Sequence, residues 1–206
     1  MRLSAAQLDL LSGVPPSALE QLDTDADPSR GLLLLLQQQE LGLPVANFLV
    51  ADVLLCQWFQ AFQVQAFQTV GLAGQGEPLL NHKRSLKRAD GIWLSASYDL
   101  LFLSERSELE AEQVEIWRLG GPVSVQSWRD RLALYLLPET SAYEPEAIRL
   151  TVWSPTHTQT HCYSRAAHQQ TQVELERLLQ RLQQPQPVES EVLELPTLAE
   201  IQEIPL

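Results

Sequence analysis

Apolar residues along this chain change their spacing partway. In the first seventy residues they recur at helical intervals, and from residue 79 onward they come mostly in strand-like runs. Ser4 is placed to cap a short helix carrying Leu8 and Leu11, which Gly13 stops. Pro15-Pro16-Ser17 opens a further turn or two with Leu19 and Leu22, and residues 23–30 read as a polar loop. Residues 32–41 form a helix ended by Gly42. Residues 45–69 then have the composition of one long helix, with Leu49, Val53, Cys56, Phe59 and Phe67 near helical spacing. Glycines 71, 74 and 76 break the chain before the texture changes. Strands follow over 80–87 and 92–104, joined by an Asp90-Gly91 turn, and another over 113–119 beyond an acidic linker at 105–112. A helix over 124–137, a strand over 148–153 with a partner near 160–163, and an amphipathic helix over 166–182 complete the pattern. The order predicts an α/β (α+β) fold with a helical N-terminal part and a mixed sheet flanked by helices.

Composition narrows the function classes. The 206 residues hold 26 acids and 14 bases, a formal charge of −12, which argues against a protein that wraps nucleic acid or an anionic membrane. Only two of the bases are lysines, Lys83 and Lys87, so chemistry that needs a lysine has two candidates. No base follows Arg181, whereas Glu189, Glu191, Glu194, Glu200 and Glu203 lie in the tail. We therefore expect one domain over residues 1–182 and an acidic, flexible tail over 183–206. The tail's spaced apolar residues leave a second reading open, a segment that docks on its own sheet or on a protein partner. Two cysteines exclude a disulfide-dense fold and a four-cysteine zinc site. No apolar run approaches the roughly 20 residues of a membrane span, and no signal core follows Met1, so no membrane association and a cytoplasmic location are expected.

Asp99 is the first candidate for chemistry, because it interrupts an apolar strand and a buried carboxylate needs a partner or a metal. The next strand ends in Trp117-Arg118. A strand with an acid, a short linker and a strand ending in acid-x-Lys resemble the core of the PD-(D/E)XK nuclease superfamily, whose RecB-like branch commonly reads Asp-Trp-Lys-Thr on the second strand. Cyanobacterial chains of this branch are similar over roughly residues 3–182. The likeness is carried by Leu3-Ser4-Ala5-Ala6-Gln7-Leu8, Gln37-Gln38-Gln39-Glu40-Leu41-Gly42-Leu43-Pro44, Tyr98-Asp99-Leu100-Leu101, Trp128-Arg129-Asp130-Arg131-Leu132 and Pro138-Glu139-Thr140-Ser141.

The resemblance implies a restriction-endonuclease-like sheet and, in an active member, a divalent metal (Mg²⁺) on two strand carboxylates beside a lysine that handles the attacking water. Here it places Asp99 at the first acid, Ile116 at the second and Arg118 at the lysine. Glu115 does not substitute by adjacency, since neighbouring strand residues point to opposite faces. Arginine is bulkier, forked and always charged, a poor replacement for that lysine. Gln37 is retained. The family histidine of the upstream helix is lost at Leu32-Leu33, and the later Gln-x-x-x-Tyr pattern falls on Arg129 and Ala133. Val14-Pro15-Pro16 replaces the opening Cys-Pro-Arg, so an iron–sulfur cluster is not expected.

The leading expectation is a catalytically degenerate relative that acts by binding nucleic acid or protein. Two alternatives stay open. One is an active, divergent Mg²⁺-dependent DNA nuclease of repair or recombination, with Lys87 as a migrated lysine and Asp130 or Glu115 as the second carboxylate after a bulge. The other is a structural interaction protein that never meets DNA. Lys83, Arg84, Lys87 and Arg88 concentrate four bases in one hairpin arm, either a solvated ribbon or a phosphate contact. His157 and His161 read as a surface loop, and His168 as a packing or solvated residue at the start of the last helix. Trp58, Trp93, Trp117, Trp128 and Trp153 read as core anchors. The glycines at 71, 74 and 76 lack the flanking strand and helix of a phosphate loop.

Overall fold

A computed structural model describes residues 1–13, 27–66, 78–103, 113–120 and 127–183. The expected helical turns at 15–22, the glycine segment at 71–76, the linker at 105–112 and most of the tail lie outside the described residues. The chain forms a mixed α/β fold with one six-stranded mixed sheet. Its strands are β1 (Arg2–Ser4), β2 (Leu79–Lys87), β3 (Trp93–Leu103), β4 (Val114–Leu119), β5 (Ile148–Ser154) and β6 (His157–Cys162). The helices are α1 (Ala5–Leu11), α2 (Pro28–Glu40), α3 (Ala46–Ala51), α4 (Val53–Ala61), α5 (Trp128–Glu139) and α6 (Arg165–Gln183). A π-helical turn, Phe62–Ala66, follows α4.

Local chemistry sets most boundaries. Gln7 reaches back to accept the Ser4 N–H at 2.8 Å, and α1 closes at Gly13 with φ +85°. Asp27 accepts the Ser29 N–H at 2.9 Å and Pro28 occupies the first turn, so α2 starts four residues before the spacing of leucines suggests. The long helix expected over 45–69 is broken at Asp52, whose extended backbone (φ −131°, ψ 106°) ends α3 while its carboxylate caps α4 through the Leu55 N–H. An aspartate competes for backbone N–H groups, which is why it interrupts a helix that its apolar neighbours would continue. The β2–β3 turn uses Gly91 at φ +79°.

β3 organises the sheet. It pairs with β2 along its length, in parallel with β1 at Trp93–Ser95, and antiparallel with β4 over Leu100–Leu103. Residues 96–99 therefore face the gap between β1 and β4. Parallel pairing carries β4 to β5, and the β5–β6 hairpin closes the far side. The histidines expected in a surface loop are thus in an outer strand, His157 exposed and His161 half-buried.

Two apolar cores cover the two faces. Leu94, Ala96, Tyr98, Leu101, Ile116, Leu150 and Val152 pack with Leu8, α5 and α6. Leu100, Phe102, Trp117, Leu119 and Trp153 pack with Leu32, Leu35, Phe59 and Phe62 of the N-terminal helices. Phe62 meets Trp153 and Trp117 edge-on, with ring centres 5.2 and 6.2 Å apart. Trp58 is half-buried at the margin of the second core, and Trp93 lies outside both, 38% exposed, in place of the core position expected for it. Even-numbered residues of β3 serve the first core up to Tyr98 and the second core from Leu100. The alternation slips at Asp99, opposite Asn81, which has a left-handed φ of +47°.

Candidate functional site

Asp99 sits where the sheet forks. With no strand partner on that edge, its carboxylate accepts the Leu119 N–H at 2.9 Å, closing the gap to β4. The same oxygen lies 3.2 Å from Arg129 Nη2, which is also 3.3 Å from the other oxygen. Arg129 is in the first turn of α5, half exposed, and its guanidinium fills the position beside Asp99 that a bound cation would need.

Continuing the β3–β4 register sets Arg118 opposite Asp99 and on the face of Ile116. Arg118 turns instead into α5, where Nη1 meets Asp130 Oδ2 at 3.2 Å, the two side chains 8% and 6% exposed. Burial lowers the pKa of the guanidinium and raises that of the Asp130 carboxyl; each partner opposes the shift of the other. Asp99 and Arg129 add further charge of both signs to the field at this pair. Two carboxylates and two guanidiniums therefore form a quartet of zero formal charge.

The remaining expected residues are dispersed. Ile116 is buried in the first core. Glu115 points to the other face, where it accepts hydrogen bonds from Trp117 Nε1 (2.7 Å) and Thr151 Oγ1 (2.5 Å). Lys87 pairs with Trp93 and its ammonium lies 5.8 Å from that ring centre. It is six residues along β3 from Asp99, about 20 Å at strand rise. Arg84 binds Thr140 Oγ1 at 3.0 Å beyond the end of α5, and Arg88 pairs with Asp90 in its own turn at 3.6 Å. The four bases of the arm are thus divided, Lys83 and Lys87 on one face and Arg84 and Arg88 on the other.

A cleft of about 1150 Å³ opens between α2 and the β1–β3–β2 end of the sheet, with Asp99 and Arg129 at its edge and Gln37 on its wall. Its floor follows from the register. Ser97 with Lys83 forms one row, Ser4, Ser95 and Ser85 another, and Arg2 stands in a third whose Trp93 and Lys87 lie beyond the cleft lining. Of the two lysines of the chain, Lys83 lines the cleft, and Lys87 lies beyond its lining on the same face of the sheet. The counter-ion Arg129 was invisible as a partner in sequence; the one signal was an arginine at the glutamine position of the resembled family.

Among the described residues, no three His, Cys, Asp or Glu side chains are placed to share a metal ion, and no helix is long and apolar enough to cross a membrane. Compared with protein-family models, curated proteins and solved structures, the chain matches none.

Proposed function

We propose that this chain is a PD-(D/E)XK, RecB-like nuclease-fold protein in which arginines have replaced metal chemistry, and that it holds a nucleic-acid strand in its cleft without cutting it. The observation that carries the reading is the pairing of Asp99 with Arg129. The residues around it do not suit a divalent metal: one candidate ligand position is Ile116, Asp130 is committed to Arg118, and the quartet offers no net negative charge. No hydrolytic step is derived through it.

Binding rests on the floor. Arg2 and Lys83 present cations in the cleft, serine hydroxyls line the space between them, and Lys87 with exposed Trp93 continues the same face beyond the cleft, the ring placed for a base to stack on. The acidity of the rest of the chain limits contact to this face. Arg84 and Arg88, expected beside the lysines, would contribute only to the long-range field.

The test has two arms. Calorimetric titration with Mn²⁺ and a plasmid-digestion assay should show no metal-dependent cleavage; cleavage that Asp99→Ala abolishes would overturn the reading. Single-stranded DNA should shift at low salt, with a log–log salt slope of about −2 for three cation contacts at −0.7 each. Lys83→Gln with Lys87→Gln should remove the shift. No shift for the unmodified chain would favour a protein partner instead.

A further inference from the structure

The sheet ends in two outer edges that are built differently. β2 carries Lys83, Arg84 and Lys87, the kind of charge with which natural sheets repel a second edge. β6 reads His157-Thr158-Gln159-Thr160-His161-Cys162, with no Asp, Glu, Lys, Arg or Pro. On a chain of −12 it is an uncharged edge, and among the described residues no strand pairs with its outer side.

The groups that face outward follow from the register. Tyr163 N–H donates to Ile148 O at 2.9 Å, one step beyond the Arg149–Cys162 pair. In an antiparallel ladder alternate residues turn both backbone groups to the same side. His157, Gln159 and His161 therefore direct theirs toward β5, as Tyr163 does. Thr158, Thr160 and Cys162 present N–H and C=O to solvent.

His157 to His161 is also a palindrome centred on Gln159. Antiparallel pairing with an identical strand about a two-fold axis at Gln159 opposes Thr158 to Thr160 of the second copy, and Thr160 to its Thr158. These are the outward-facing residues, so each such pair exchanges two backbone hydrogen bonds. Threonine pairs are favourable cross-strand neighbours. Gln159 meets Gln159 of the second copy in the close, non-hydrogen-bonded pair.

We propose that β6 is a self-association edge, through which two copies of this chain join into one continuous sheet. A two-fold contact of this type closes and does not propagate. It also leaves both clefts free, because β6 lies at the opposite end of the sheet from β1 and β2. The inference does not depend on what the cleft binds.

Light scattering behind size exclusion, over a dilution series of the full chain, should show a dimer that dissociates on dilution. Gln159→Lys, which sets two ammonium groups face to face, should give a monomer with unchanged circular dichroism, and Thr158→Pro, which removes an outward N–H, should do the same. In a chain with Cys56→Ser and Cys162→Ser, oxidation should cross-link Gln159→Cys and spare Thr158→Cys. A wild-type monomer at every concentration overturns the proposal, as does a dimer that survives Gln159→Lys. Stronger cross-linking at 158 than at 159 overturns the register and with it the proposed interface.

Discussion

Arg118 and Asp130 share one buried pocket between β4 and α5, and their energetics differ from those of a surface pair. Two charges removed from water carry a desolvation cost that their mutual attraction must offset. Asp130→Ala should therefore cost about 3–5 kcal/mol in urea denaturation, because it removes the carboxylate 3.2 Å from a buried guanidinium. Replacing both partners, Arg118→Met with Asp130→Leu, should recover most of that loss. If the double variant is as unstable as the single one, the pair is not an isolated unit. At this scale the sequence was informative about Asp99, Ile116 and the opposite orientation of Glu115, since strand period two is a local property. It was silent on Arg129 as the partner of Asp99, because the two are thirty positions apart and meet only when α5 folds onto the fork in the sheet.

Elements meet through another carboxylate. Asp9 of α1 is buried and accepts the Trp128 N–H of α5 at 2.7 Å and the Ser127 hydroxyl at 3.4 Å, so one helix caps another. Burial raises the Asp9 pKa, against the lowering effect of Trp128, Ser127 and Arg131. Between the ordinary aspartate value and this raised one, the folded chain holds more protons than the unfolded chain. Stability therefore falls as pH rises through that window. Asp9→Asn keeps an acceptor and lacks the titration: it should match the wild type at low pH and gain on it until the raised pKa is passed, read as Tm against pH. Asp9→Ala leaves a buried N–H unpaired and should lose roughly 1–3 kcal/mol at any pH. Helix and strand types were legible from spacing alone. β1 was missed, for a three-residue strand has no period to read, and the break at Asp52 was missed because apolar spacing runs straight through it.

Over the whole molecule, charge is sorted by position. Lys83 lines the cleft and Lys87 lies on the same face of the sheet, while five glutamates lie beyond the last base, Arg181. Ending the chain at Gln183 moves the formal charge from −12 to −7. This shorter chain should keep a cooperative unfolding transition and bind single-stranded DNA more tightly at low salt, the gain fading as added salt screens the repulsion. A loss of binding would instead assign the tail a part in the site. The sequence by itself determined the alternation of elements, the mixed class and the two-lysine composition. Each of these follows from residue type and spacing within one segment. Only the tertiary structure decided that Arg129 neutralises Asp99, that Arg118 is buried against Asp130, that Lys87 stands some 20 Å from Asp99 along the strand, and that β6 ends the sheet among the described residues. Those are pairings between distant segments, set by which helix packs on which face of the sheet.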